Sequence, residues 1–194
     1  MTKLAEQKQL ARKAGFARRK LAHENNANAA ARAAAHLLQW LGDQRFPVIS
    51  GYMPIRSEID ILPVMHQLHL QGKTLCVPVI TGAGQPLKFR QWSPDCQMET
   101  GPFGASVPVS GNWLVPDLVL CPLLAFDNQG HRLGYGGGFY DRSLAQIRSQ
   151  KPVTALGYAY AAQATPDLPI EPTDQPLDGM ASENGVIIFR SLAR

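Results

Sequence analysis

Asp117-Leu118-Val119-Leu120-Cys121-Pro122, then Arg132-Leu133-Gly134-Tyr135-Gly136-Gly137-Gly138-Phe139-Tyr140-Asp141-Arg142, then Val153-Thr154-Ala155-Leu156-Gly157-Tyr158 is the stretch that decides the fold. Two short apolar runs flank a glycine loop and a helix-like segment over 139–148, which is the order of strand, loop, crossover helix and parallel strand. Four glycines stand within the five residues 134–138. Glycine tolerates positive φ, so such a loop can curl until successive N–H groups point into one concavity. The positive end of the following helix adds to its attraction for anions. Phosphate is the natural guest. Asp141 supplies a carboxylate for a hard cation and Arg142 a guanidinium for phosphate oxygens, so together the features suit a nucleotide with magnesium. The loop lacks the Gly-Lys-Ser/Thr ending of a Walker A motif. It also lacks the acidic residue about twenty positions on that a dinucleotide fingerprint carries, and glycine runs of this kind also make ordinary turns.

Outward from this unit the chain alternates. Helices are expected over 3–22 and from Asn28 to Leu41, the second closed by Gly42, followed by a strand over 47–52, a helix over 59–71 closed by Gly72, and strands over 74–80 and 87–92. A last strand is expected over 185–189, after a proline- and acid-rich loop over 159–178. The pattern predicts an α/β fold: a single-domain, three-layer open sheet, mostly parallel, with helices on both faces, spanning residues 1–194. In such sheets ligands gather beyond the carboxyl ends of the strands, where residues 53–58, 123–141 and 159–178 fall.

At 194 residues and 45% hydrophobic content the chain can bury one real core, which favours one domain over two small ones. The net charge of +4 favours anionic ligands, but the excess sits in the first twenty residues, at Lys3, Lys8, Arg12, Lys13, Arg18, Arg19 and Lys20. No stretch approaches the roughly 18–20 apolar residues of a membrane span, and the start lacks the apolar core of a signal peptide. Its Arg- and Ala-rich composition also matches an organelle transit peptide. Cys76, Cys96 and Cys121, odd in number and without CxxC spacing, read as reduced packing residues. A cytoplasmic protein is expected, a monomer with a small-molecule substrate and no nucleic-acid or membrane partner. The basic helix lacks the aromatic interleaving of a nucleic-acid reader.

Lys8 and Arg12 stand at i and i+4, so on a helix they share a face that grips phosphate oxygens or simply meets solvent. Glu58 lies between a strand end and a helix start. Ser57 and Asp60 resemble a capping box there, and Glu58 either favours the helix dipole or accepts hydrogen bonds from an amino-pyrimidine edge, with Met53 packed beneath the ring. His66 and His69 belong to an amphipathic helix with no third metal ligand suggested, and His131 flanks the glycine loop. Asp174 and Asp178 are turn formers, or one of them shares a magnesium with Asp141.

Taken together, these segments resemble the 5-formyltetrahydrofolate cyclo-ligase family, the methenyltetrahydrofolate synthetases. The likeness rests on Lys8 and Arg12, Met53 to Glu58, Phe89-Arg90-Gln91-Trp92, Gly104 to Pro108, Pro122-Leu123-Leu124-Ala125-Phe126-Asp127, the Arg132 to Arg142 loop, and Pro172-Thr173-Asp174. The resemblance implies ATP- and Mg2+-dependent closure of 5-formyltetrahydrofolate to 5,10-methenyltetrahydrofolate, with release of ADP and phosphate. It makes Lys8, Arg12, Arg132, Leu133, Gly134, Tyr135, Gly136, Gly137, Gly138, Phe139 and Tyr140 similar to the family's ATP contacts. Met53, Glu58 and Tyr135 to Phe139 match its folate contacts, and Asp141 and Asp174 its metal positions. Arg132, Tyr140 and Asp141 are the implied catalytic residues. Some members carry Arg and Lys where this chain has Tyr135 and Gly137, so here the phosphates must be neutralised by Lys8, Arg12, Arg132 and Arg142. Two other classes fit less well: a nucleotide-binding regulator without turnover, and a sugar-phosphate isomerase on a similar sheet.

Overall fold

The structure, a computed structural model, describes residues 2–42 and 44–190; residues 1, 43 and 191–194 lie outside the described part. Its helices are α1 (Lys3–Asn25), α2 (Ala29–Leu41), α3 (Leu62–Leu70) and α4 (Phe139–Arg148). Its strands are β1 (Val48–Ser50), β2 (Thr74–Val79), β3 (Lys88–Trp92), β4 (Met98–Thr100), β5 (Ser106–Pro108), β6 (Trp113–Leu114), β7 (Leu118–Cys121), β8 (Ala125–Phe126), β9 (Arg132–Leu133), β10 (Thr154–Tyr158), β11 (Gly179–Ser182) and β12 (Gly185–Ile188).

The main sheet has the order β12-β11-β10-β7-β1-β2-β3-β6. From β11 to β2 the strands are parallel, with β12 antiparallel at one edge and β3 and β6 antiparallel at the other. Strand β7 shows why its sequence is apolar without alternation: both of its faces are covered. Leu118 and Leu120 join Ile49, Leu75 and Leu156 in a core closed by Leu37 of α2 and Val64, Met65 and Leu68 of α3. Val119 and Cys121 point the other way, into a core with Cys76 and Ala155 that Leu144 and Ile147 of α4 close. Helices therefore lie on both faces, giving the three-layer sheet that the alternation predicts.

Local chemistry explains where the elements differ from expectation. Helix α3 begins at Leu62, not at 59, because Asp60 Oδ1 accepts the Leu62 N–H at 2.9 Å and Pro63 sets the first turn. Ser57 takes no part in a capping box; its Oγ accepts from Arg19 Nε at 3.2 Å. Strand β11 carries no sequence signal, since Gly179-Met180-Ala181-Ser182 lacks a branched apolar run. A Cβ on Gly179 would lie 2.5 Å from the Ile187 carbonyl oxygen, so only glycine lets β12 pair this closely. The hairpins β4–β5 and β8–β9 are likewise too short to register as periodicity.

Strand β1 leads through α3 to β2 on one side, and β7 leads through α4 to β10 on the other. The chain therefore diverges between β1 and β7, the place where open α/β sheets bind ligands. The segments leaving β1, β7 and β10 emerge there side by side. Helix α1 crosses them with almost no apolar contact face: its buried residues are Lys8, Gly15 and Arg19. At Gly15 a Cβ would stand 3.0 Å from the Leu124 carbonyl oxygen, so glycine lets the helix backbone rest on the chain leaving β7. The basic N-terminal segment is thus packed into the fold.

Candidate functional site

One face of α1 carries Lys8, Arg12, Phe16, Arg19 and His23, spaced by three or four residues, and the middle three share the glycine loop while Lys8 and His23 meet other segments. Lys8, only 6% exposed, places Nζ 2.7 Å from Asp174 Oδ2 and 3.1 Å from Glu171 Oε2. Arg12 Nε donates to the Gly134 carbonyl at 3.2 Å, and Phe16 lies against the Tyr135 ring with centroids 5.4 Å apart. Arg19 donates to Tyr135, and His23 Nδ1 meets the Tyr160 hydroxyl at 2.9 Å. The face turns inward, so the alternative of a purely solvated basic helix does not hold.

The glycine loop then follows from sterics. Gly136 adopts φ +100°, and a Cβ there would stand 3.0 Å from Arg12 Cζ, so glycine lets the guanidinium lie on the backbone. Gly138, at φ +64°, is the N-cap of α4, and no side chain caps the helix. The first-turn N–H groups of Phe139 and Tyr140 and the helix dipole therefore remain available to an anion. Gly137 offers its carbonyl to Arg142 Nη2 at 2.6 Å. Arg142 thus braces the loop where the sequence suggested a phosphate ligand. Leu133 is buried, and its carbonyl accepts the Leu124 N–H at 2.8 Å, so it anchors the loop to the sheet. Burial holds the Tyr140 phenol well above its usual pKa, so Tyr140 is a neutral donor and no base.

The acids are organised around the cations. Arg132 Nη2 meets Asp141 Oδ1 at 2.7 Å, and its Nη1 donates to the Gln175 carbonyl. Asp141 Oδ1 also accepts the Gln175 N–H at 3.0 Å, which brings Asp174, the preceding residue, to the same loop junction. Asp178 is elsewhere: its carboxylate accepts from Ala155 N at 2.7 Å and pairs with Arg148 at 3.1 Å and Arg190 at 3.3 Å, fastening β10 to the chain entering β11. Of the two candidates left open by the sequence, Asp174 is the one whose chain neighbour, Gln175, contacts Asp141. No group of three or more His, Cys, Asp or Glu among the described residues could hold a metal. Two carboxylates suit a magnesium ion that keeps its waters and shares phosphate oxygens, and are too few for a closed structural zinc site.

Glu58 leaves the helix-start alternative behind, since three residues lie between it and the start of α3 and it is 6% exposed. Its Oε2 accepts the Ile55 N–H at 2.9 Å while its own N–H donates to the Ile55 carbonyl at 3.1 Å, closing a turn around Arg56 at φ +56°. Its Oε1 accepts from the Tyr135 hydroxyl at 2.7 Å and faces Arg19 Nη1 at 3.5 Å. Burial raises the Glu58 pKa, opposed by those hydrogen bonds and by Arg19. Met53 packs on the core at the root of the same loop.

Arg19, Phe16 and Phe103 belong to this site and were not singled out from the sequence. Arg19 was one of seven cations near the N-terminus, and only its spacing of seven from Arg12 set it apart. Phe103 is 72% exposed at φ +60° and stands edge-on to Phe139, with centroids 6.5 Å apart. His66 is only an edge-on neighbour of Trp92, and His131 pairs with Asp127 at 2.8 Å. A separate cleft of about 370 Å³, lined by Gln85, Lys88, Trp113, Gln146 and Gln150 among others, includes none of the phosphate or folate candidates.

A model of the 5-formyltetrahydrofolate cyclo-ligase family matches residues 4–183, which takes in α1, the glycine loop and both Asp141 and Asp174. The chain belongs to the 5-formyltetrahydrofolate cyclo-ligase family. Among its relatives, the 5-formyltetrahydrofolate cyclo-ligase of Haemophilus influenzae is 34% identical over 148 residues, covering 73% of this chain and 79% of the relative. The Escherichia coli (strain K12) 5-formyltetrahydrofolate cyclo-ligase is 30% identical over 176 residues, covering 87% and 96%. The solved structure of Aquifex aeolicus 5,10-methenyltetrahydrofolate synthetase superposes with a TM-score of 0.77 at 27% identity, covering 95% of this chain and 93% of that one. The chain is thus a cyclo-ligase that converts 5-formyltetrahydrofolate to 5,10-methenyltetrahydrofolate, and its mostly parallel sheet matches that of the Aquifex aeolicus synthetase.

Proposed function

We propose that the protein closes 5-formyltetrahydrofolate to 5,10-methenyltetrahydrofolate at the expense of ATP and with Mg2+, releasing ADP and phosphate. The observation that carries this is a curled glycine loop that Arg12 braces, that follows Arg132 and that ends at the uncapped N-terminus of α4, with Lys8 one turn from Arg12 on the same helix face. That is a site for a polyphosphate. In this proposal Lys8, Arg12, Arg132, Leu133, Gly134, Tyr135, Gly136, Gly137, Gly138, Phe139 and Tyr140 surround the nucleotide, the loop through backbone more than side chains. Met53, Glu58 and Tyr135 to Phe139 receive the folate.

The chemistry needs alignment more than a nucleophile. A formamide carbonyl is a poor electrophile, and ring closure by N10 would have to expel hydroxide. When the formyl oxygen instead attacks the γ-phosphorus, ADP leaves and the oxygen becomes part of a phosphate leaving group. N10 then bonds to the formyl carbon, phosphate departs with that oxygen, and N10 gives up its proton. Glu58 holds the pterin so that the N5-formyl group meets the γ-phosphate, while Lys8, Arg12 and Arg132 neutralise the phosphate oxygens. Tyr140, kept neutral by burial, would serve as a donor and not as a base. Asp141 and Asp174 would hold Mg2+, which when bound supplies charge neutralisation at the phosphates.

A cytoplasmic monomer acting as one domain on a small molecule belongs to the same proposal. Its three cysteines are free, and no helix among the described residues is long and apolar enough to cross a membrane. The test is the methenyl chromophore. It is expected only when protein, ATP, Mg2+ and 5-formyltetrahydrofolate are all present. Folate-independent ATP hydrolysis, or binding of both ligands without turnover, would reject the proposal in favour of another enzyme or a regulator.

A further inference from the structure

Arg19 is 1% exposed, one of the largest fully buried side chains of the protein. Its Nε donates to Ser57 Oγ at 3.2 Å, and its Nη1 donates to the Tyr135 hydroxyl at 2.5 Å and faces Glu58 Oε1 at 3.5 Å. Nη2, buried as well, has no partner among the described residues. The Phe16 and Tyr135 rings, with centroids 5.6 and 5.3 Å from Arg19 Cζ, compensate part of the charge but satisfy no N–H. A buried guanidinium with an idle donor is costly, and more than a turn around Glu58 is needed to account for it.

The Tyr135 hydroxyl indicates what the pair accepts. It donates to Glu58 at 2.7 Å and accepts from Arg19 at 2.5 Å, so a donor and an acceptor side by side already sit against this carboxylate and guanidinium. A lactam edge has the same order. Along one side of a pterin lie the 2-amino group, N3–H and the 4-oxo oxygen, two donors followed by an acceptor. A carboxylate answers the donors and an adjacent guanidinium answers the oxygen. Tyr135 is 40% exposed and sits between Gly134 and Gly136, so its phenol can yield to a ligand without moving the sheet.

We infer that Arg19 is a specificity-determining residue that donates to the 4-oxo oxygen of the pterin while Glu58 takes the 2-amino and N3–H donors, so that the site selects 4-oxo over 4-amino pteridines. This rests on the folate proposal above. A 4-amino pteridine has lost the N3 proton and carries an amino donor where the oxygen was, so it sets donor against donor at Arg19 and a lone pair against Glu58. Sites built on such complementary groups reject the wrong pattern strongly, because their own buried groups go unpaired.

The experiment is calorimetric binding, without ATP, of 5-formyltetrahydrofolate and of its 4-amino-4-deoxy counterpart to the full chain. Wild type is expected to bind the 4-oxo compound at least about 10-fold more tightly. In Arg19→Met its affinity is expected to fall about 10- to 100-fold with the 4-amino compound little changed, so that the ratio collapses, and Arg19→Lys is expected to restore part of it. A structural role alone would weaken both ligands alike, and that outcome overturns the inference. So does equal binding of the two compounds by wild type, which needs no variant and leaves the proposed function standing. Binding of neither removes the folate proposal and this inference with it.

Discussion

Lys8 and Asp174, 166 positions apart in the chain, form a 2.7 Å ion pair in which the candidate phosphate ligand is held by the candidate metal ligand. Arg132 and Asp141 repeat the arrangement at 2.7 Å. Each cation is held in place by an acid, so under the proposed function phosphate oxygens would replace the carboxylates at Lys8 and Arg132, and the carboxylates so released would be the groups that hold Mg2+. Neither ligand alone would satisfy all four groups, so the proposal makes binding of the two coupled.

That coupling separates two variants from simple losses. Asp174→Asn frees Lys8 from its shorter partner, leaving Glu171 at 3.1 Å. Metal-free ATP is expected to bind severalfold more tightly, on the order of 1 kcal/mol for one partly exposed pair, while Mg2+-dependent turnover falls on the order of 10²-fold. Asp141→Asn is expected to lose turnover to a similar extent with the fold intact. Titration of ATP with and without Mg2+, beside a turnover assay, checks both; full activity in either variant would remove that residue from the metal site.

Lys8→Ala and Arg12→Ala are each expected to raise the ATP requirement by about 10-fold, the size of one charge-assisted contact, and to spare folate binding. Arg12 should be the more sensitive, because its guanidinium also packs on Gly136 and donates to Gly134. Kinetics in which ATP dependence stays at the wild-type value in both variants would detach α1 from the nucleotide.

Glu58→Gln is expected to cost about 1.5–3 kcal/mol of folate affinity and to leave ATP affinity nearly unchanged. The ionised carboxylate is the form that accepts the pterin donors, and burial raises its pKa. Protonation as pH falls therefore sets in above the ordinary glutamate range, and folate binding should weaken there. Tyr135→Phe removes a hydrogen bond that stabilises the ionised form, so the weakening should begin at higher pH still. Folate affinity measured across pH in wild type and both variants checks this; a loss that begins only in the ordinary glutamate range would contradict it.

Alkylation of the native protein should label Cys96 alone. Burial pushes the Cys76 thiol up to about 12 and the Cys121 thiol up to about 11, leaving little thiolate near neutral pH, and both are enclosed by the sheet and its helices. Mass spectrometry should count one modification in the native state and three in denaturant. Rapid native labelling of Cys76 or Cys121 would mean that the sheet opens far more readily than its packing implies.

Much of the architecture could be read from local pattern. The apolar runs at 118–121 and 154–158, the helix 139–148 and the glycine loop are each dictated by neighbours in sequence, and periodicity reports such features. Strand β11 could not be read in this way, because Gly179 and Ala181 are small to admit β12 and α2, a demand made by residues remote in the chain. Resemblance to a family named most of the candidate site, but it could not say which contacts this chain makes among them.

By itself the sequence determined an α/β sheet with a phosphate-shaped loop before a helix, and an N-terminal helix with its cations spaced to share one face. Tertiary structure decided which way that face turns, that the chain just after Asp174 reaches Asp141, and that Arg19 is buried against Glu58 and Tyr135. The physical reason is one of range. Backbone geometry and helical spacing are set by residues a few positions apart, whereas the partner of a buried charge is whatever the fold brings within about 3 Å, the reach of a hydrogen bond.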